Sequence, residues 1–388
     1  AGEGEEFADV VMALVARSAG DSFRSLGGNA PVLDEEGGMA DQMRGRAEAF
    51  ESLRGVEPLA ADHGIHAGCD GGLKLRIQCH PLAMVFRLKT HSAERKRNKR
   101  MVHRSVDQKF ITLFDRYTHG GMNRREFLDK LSLMAGSSAA AVALLPVLEN
   151  NYAQAEVVPE TDPAIKAEMA EIAPGIKGYL VRPAAEGTYP AVLVIHENRG
   201  LNPHIKDVTR RMAKEGFIAF GADYLTPVGG TPEDAEKARE MIGALKRPDV
   251  VAFSQQAVAV LSTLPGSKGK VGAVGFCWGG GQVNALAVTG DVTLKAGVAY
   301  YGGQPKADEV AKIAAPLMLH YAELDERINA GIADYEAALK ANGKAYELHM
   351  YKGANHAFNN DTNAARYSKE ASDLAWGRTV AFLKAHLA

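Results

Sequence analysis

The sequence predicts an α/β fold, a mostly parallel twisted sheet with helices on both faces, over residues 156–388. A largely disordered N-terminal region is expected to precede it. Two observations carry the prediction. Apolar runs that do not alternate, such as Tyr189-Pro190-Ala191-Val192-Leu193-Val194-Ile195, read as strands covered on both faces. Stretches at helical spacing separate these runs, and that order winds a parallel sheet between two helix layers.

The elements follow in order. Segments 164–173 and 176–183 read as a leading hairpin broken at Pro174-Gly175. After the strand ending at Ile195, the spacing of Ile205, Val208 and Met212 predicts a helix over 205–215 that stops at Gly216. A strand is expected at 217–220, then two polar helices near 232–246 and 249–264. The run 270–276 is the next strand, and a helix starts after Trp278. Strands at 296–301, 316–321 and 346–351 complete the sheet, with helices near 330–342 and 366–386. In such a sheet, function gathers at the carboxyl ends of the strands.

Composition bounds the function classes. The 388 residues carry 45 Lys+Arg against 47 Asp+Glu, so the chain as a whole is no polycation for nucleic acid. Three cysteines do not make a disulfide scaffold. No apolar run reaches the roughly 20 residues of a stable membrane span. Gly and charge are scattered through 1–100, which ends in the basic run Arg95-Lys96-Arg97-Asn98-Lys99-Arg100. Residues 1–121 are therefore expected to be disordered or a non-native extension of the reading frame, with Met101 or Met122 as the natural start. His63, His66, Cys69, Cys79 and His80 are ligand types without the spacing of a zinc motif, so no metal site is predicted.

Residues 122–155 have the order of a twin-arginine (Tat) export signal. Arg124 and Arg125 precede a moderately apolar, Ala-rich segment that ends in Ala153-Gln154-Ala155, a small-x-small cleavage pattern. The expectation is recognition by the Tat translocon, cleavage after Ala155 and a periplasmic location. The competing reading is an Ala-rich helical segment packed on the domain.

The chemistry centres on Gly275-Phe276-Cys277-Trp278-Gly279-Gly280-Gly281, a G-x-nucleophile-x-G turn between strand and helix with Cys as the nucleophile. Side chains at Gly275 and Gly279 would collide with the strand and helix. A helix N-terminus favours the thiolate, the reactive form. Asp325 and His356 follow in the chain order such a turn requires, each on a loop after a strand. Cys277 is expected to attack a carbonyl, His356 to carry the proton and Asp325 to orient the imidazole, with Glu323 and Glu326 as alternative acids. The backbone N–H groups of Asn198 and Trp278 are candidates for an oxyanion hole. Glu197 is placed to hold the resting thiol. Tyr224 and Arg199 are candidates for the pocket wall, whereas His196, His320 and His349 read as structural.

These motifs, with Leu324-Asp325-Glu326-Arg327, Gly353-Ala354-Asn355-His356-Ala357-Phe358 and Glu197 followed by Gly200, resemble the dienelactone hydrolase (carboxymethylenebutenolidase) family. The resemblance covers about 165–388. It implies an α/β-hydrolase fold, a Cys277-Asp325-His356 triad, a proton-handling Glu197, and a small lactone or enol ester as substrate. Separately, the domain carries no zinc motif, Walker loop or dinucleotide fingerprint, so no cofactor is expected. Where that family binds a substrate carboxylate through a hydroxyl and an arginine, this chain has Ala357 and Asn359. Two alternatives stay open: a general carboxylesterase or thioesterase of the same fold, and a non-catalytic binding protein.

Overall fold

The structure, a computed structural model, describes residues 106–154 and 156–388. The basic run at 95–100, the His63-to-His80 group and Met101 lie outside the described residues.

Eight strands form one sheet: β1 (Ile165–Ala173), β2 (Ile176–Pro183), β3 (Tyr189–Ile195), β4 (Ile218–Ala222), β5 (Ser267–Phe276), β6 (Leu294–Tyr300), β7 (Leu317–Ala322) and β8 (Tyr346–Tyr351). Their spatial order is β1-β2-β4-β3-β5-β6-β7-β8. The leading hairpin is antiparallel and joins β4 antiparallel; every pair from β4 to β8 is parallel. β3, β5 and β6 run through the centre, and their carboxyl ends present Ile195, Phe276 and Tyr300 at one edge.

Strand alternation feeds two apolar layers. Val192 and Val194 of β3 join one cluster with Ile205, Val208 and Met212 of the helix Pro203–Lys214 and with Leu383 of the C-terminal helix Lys369–Leu387. Ala191, Leu193 and Ile195 face the other, with Phe253 and Leu261 of the helix Arg247–Thr263, Leu286 of Trp278–Ala287 and Leu339 of Ile332–Ala341. Helices thus cover both faces, as the non-alternating apolar runs require.

The stretch before the sheet departs from expectation. Part of 1–121, expected to be disordered, forms the helix α1 (Gln108–Thr118), and α2 (Arg124–Ala135) and α3 (Ser138–Leu148) follow. Phe110, Leu113, Phe114 and Tyr117 recur at i, i+3, i+4 and i+7, and this stripe packs on Phe127 and Leu131 of α2 and Leu144 and Leu148 of α3. Asp107, Asn123 and Ser137 cap the three N-termini. Gly136, at φ 84°, ends α2, so the apolar segment 131–148 is two helices bent by 111°. Among the described residues no single helix is long and apolar enough to cross a membrane, although this bent pair passes on length and composition.

The three helices meet the sheet domain through polar contacts. Tyr117 Oη donates to Glu236 Oε2 at 2.6 Å, Asn198 Nδ2 to the Thr118 carbonyl at 2.9 Å, and Asn363 Nδ2 to the Leu148 carbonyl at 2.7 Å.

Candidate active site

Cys277 stands between β5 and the helix Trp278–Ala287 at φ 55° and ψ −114°, a conformation that costs a non-glycine residue on the order of 1–3 kcal/mol. The surroundings hold it there. Its N–H donates to the Tyr300 carbonyl at 3.0 Å. A Cβ on Gly275 would lie 2.1 Å from the Gly279 carbonyl oxygen, and one on Gly279 would lie 2.4 Å from that of Ile195. Both glycines of the motif are thus demanded by close backbone approach. The Trp278 ring stacks on His196, centroids 5.2 Å apart, which wedges the turn against the end of β3.

The structure brings the other two predicted residues to this turn. Asp325 follows β7 and His356 follows β8; His356 Nδ1 and Asp325 Oδ2 are 2.5 Å apart, both buried. With Nδ1–H directed at the carboxylate, Nε2 is the free nitrogen, and it is buried with no partner among the described residues. A ring nitrogen of His356 lies within 4.8 Å of Cys277 Sγ. Burial pulls the His356 value down, but Asp325, the Cys277 sulfur and Asp115 outweigh it and raise it to about 10. Burial likewise pushes the Cys277 thiol up, yet the two imidazoles of His356 and His119 bring it down to about 6. Asp325 is lowered by His356 and Arg327 in spite of its burial.

Other expectations fare unevenly. Glu197 lines the same pocket, but its Oε2 accepts from Asn360 Nδ2 at 2.7 Å and no hydrogen bond joins it to Cys277; Oε1 is buried and unpartnered. The backbone N–H groups of Asn198 and Trp278 have no partner among the described residues, the state an oxyanion site requires. Arg199 lines the pocket and pairs with Glu236 at 3.0 Å. Tyr224 does not line it: its hydroxyl is spent on Ser254 at 2.7 Å, and its ring packs edge-on against Trp278 in the core. Asn359 also points elsewhere, accepting from Ser372 Oγ at 2.8 Å. His196 and His320 are buried, with structural partners; His349 pairs with Glu347.

Residues not anticipated complete the site. His119, just after α1, sets Nε2 3.2 Å from Cys277 Sγ, and its ring meets that of His356 edge-on at 4.6 Å. Its Nδ1 faces Asp115, 2.8 Å from the carbonyl and 3.1 Å from Oδ1. Arg366 lines the pocket as well, over the Phe114 ring and 3.9 Å from Asp115. His119, Cys277 and His356 form the one convergence of metal-capable side chains among the described residues. A thiol between two imidazoles, one hydrogen-bonded to the Asp325 carboxylate and one 3.1 Å from that of Asp115, is equally the donor pattern of proton transfer. Thr118, His119 and Asn150 close the pocket to about 10 Å³, roughly the room of one water. A larger cavity of about 380 Å³ borders Trp278, Gln282 and Gln304 but touches neither Cys277 nor His356, so the candidate triad opens onto the smaller one.

Comparison with known proteins adds the family. The dienelactone hydrolase family matches residues 176–387, and a family described as YqhI-like matches 98–136. A chain of Synechocystis sp. named "Putative carboxymethylenebutenolidase" is 33% identical over 230 residues, 55% of this chain and 92% of its own. A Bradyrhizobium chain named "Probable 2-oxo-3-(5-oxofuran-2-ylidene)propanoate lactonase" is 31% identical over 223 residues, 54% of this chain and 89% of its own. A solved structure from Klebsiella pneumoniae, described as "Putative Dienelactone Hydrolase", superposes with a TM-score of 0.52 at 28% identity, covering 57% of this chain and 99% of that one.

Proposed function

Because this chain belongs to the dienelactone hydrolase family, and is therefore a carboxylic ester hydrolase, we propose that it opens a small anionic lactone or enol ester by thiolate attack from Cys277. The observation that carries this reading is the strained Cys277 turn facing an imidazole whose far nitrogen is held by Asp325.

In the mechanism, the Cys277 thiolate adds to the carbonyl carbon, and the oxyanion is received by the backbone N–H groups of Asn198 and Trp278. The C–O bond breaks, and protonated His356 gives Nε2–H to the leaving oxygen. Neutral His356 then takes a proton from water as the hydroxide attacks the thioester, and the thiolate departs. Asp325 keeps the imidazole in the tautomer that aims Nε2 at the reacting atoms.

The guanidinium groups of Arg199 and Arg366 at the pocket support an anionic substrate. They offer the charge that Ala357 and Asn359 do not. The name of the Bradyrhizobium relative describes a lactone bearing a propanoate group. Comparing kcat/KM for dienelactone with that for neutral p-nitrophenyl esters tests the reading. Preference for the anionic lactone is expected; equal or better turnover of neutral esters would favour a general carboxylesterase.

A second reading concerns location. The order of Arg124-Arg125, the apolar segment and Ala153-Gln154-Ala155 supports Tat export to the periplasm, with loss of everything before Glu156. Against it, α2 and α3 are capped and packed as part of the fold. N-terminal sequencing of the native protein decides: a chain starting at Glu156 supports export with cleavage, and one retaining α1 excludes that cleavage.

A further inference from the structure

Cys277 is flanked by two carboxylate-backed imidazoles, and the family chemistry uses one. The second, His119, lies outside the residues matching the hydrolase family and inside those matching the YqhI-like family. With Nδ1–H donated to the Asp115 backbone carbonyl at 2.8 Å, and the Asp115 carboxylate 3.1 Å away, Nε2 of the neutral ring carries a lone pair toward a sulfur 3.2 Å away. The contact is as close as a hydrogen bond to sulfur allows, and His356 Nε2 has none.

We propose that His119, oriented by Asp115, is a catalytic residue that takes the proton of Cys277 and stands as the counter-ion of the resting thiolate. This rests on Cys277 being the nucleophile. The S–H proton moves to His119 Nε2, giving thiolate and imidazolium, and no other bond changes. Because the thiolate is regenerated when the thioester is hydrolysed, His119 keeps its proton through the cycle while His356 serves the leaving group and the water. His119 thus fills the place beside the resting sulfur that the sequence suggested for Glu197.

The groups around the sulfur agree in sign. From α1 come Asp115 and His119; from the loops after β7 and β8, Asp325 and His356. Arg327, 3.5 Å from Asp115, and Arg366 add positive charge. Glu197 is the carboxylate facing from the end of β3, and Tyr301 packs against His356 from the end of β6. Burial lowers the His119 value, but Cys277 and Asp115 outweigh it and raise it.

The test is the pH dependence of Cys277 alkylation by iodoacetamide in the full chain, followed on the Cys277 peptide by mass spectrometry, with ester turnover measured in parallel. His119→Gln is expected to raise the alkylation midpoint by about one pH unit, because it removes one of two cations acting on the thiolate. Turnover near pH 6.5 should then fall about threefold, the ratio of thiolate fractions for midpoints near 6 and 7, and recover as pH rises past the new midpoint. Asp115→Asn, nearly isosteric, should shift the midpoint the same way by less. An unmoved midpoint, a loss that no pH restores, or a gain in turnover from unplugging the pocket would each overturn the proposal. So would a native chain beginning at Glu156. Alkylation reads the thiol whether or not esters are turned over, so failure of the nucleophile reading shows separately, as turnover that survives Cys277→Ala.

Discussion

Two opposed forces act on the sulfur of Cys277. Burial alone would keep the thiol protonated at neutral pH, and the imidazoles of His356 and His119 reverse that, bringing the group to about 6. His356 is raised to about 10 because Asp325 and the thiolate hold its proton against burial. On the proposed mechanism these two values bound a window. Below about pH 6 the sulfur takes back its proton and loses nucleophilicity; above about pH 10 His356 loses the proton it must give the leaving oxygen. The free-enzyme profile, kcat/KM against pH, is expected to be a bell with limbs near these values. A lower limb near 8.5, the ordinary thiol value, would contradict the charge pairing. Cys277, Asp325 and His356 were legible in the sequence because each sits in a short motif at a strand end and the chain order is fixed by topology. Arg366 was visible as a residue, but its place at the pocket depends on a loop path that no local pattern encodes.

At the scale of elements, β5, its turn and the following helix form the least tolerant piece of the fold. Gly279 meets the backbone at the end of β3, so Gly279→Ala must push the first turn of the following helix away from that strand rather than displace a flexible side chain. A loss of about 2–4 kcal/mol in urea unfolding is expected; a change below about 0.5 kcal/mol would show that the approach is looser than described. The strands from β2 to β8 follow the sequence reading within about three residues, most plainly β3, β4 and β7, where buried strands leave uninterrupted apolar runs. The first helix was missed for an instructive reason. Its Phe110, Leu113, Phe114 and Tyr117 stripe has helical period, but it follows a long stretch without any period and was read with it. Asp115 and His119, four apart, lie on one side of that helix end, so the overlooked element carried an overlooked half of the site. The break between α2 and α3 was written in Gly136-Ser137, an αL cap followed by an N-cap.

Over the whole molecule, a hydrolase sheet carries a small helical unit over its reactive edge. That unit buries its apolar residues mainly in itself and docks through polar contacts around Asn198, Glu236 and Asn363. The pocket beneath holds about 10 Å³, whereas small-ligand sites need several hundred, so on the proposed function the chain around Thr118 and His119 has to yield before a substrate reaches Cys277. This closure was not readable from the sequence, since it depends on two segments about 160 residues apart. On the proposed mechanism the acyl group of the substrate spends part of each cycle on Cys277. The most direct measurement is acid quenching during turnover of a slow lactone or ester, followed by mass spectrometry of the digested protein. The account predicts the acyl mass on the Cys277 peptide, released by hydroxylamine and absent from Cys277→Ala, which should be inactive. Turnover with no adduct on that peptide, or a Cys277→Ala variant working at the wild-type rate, would contradict it.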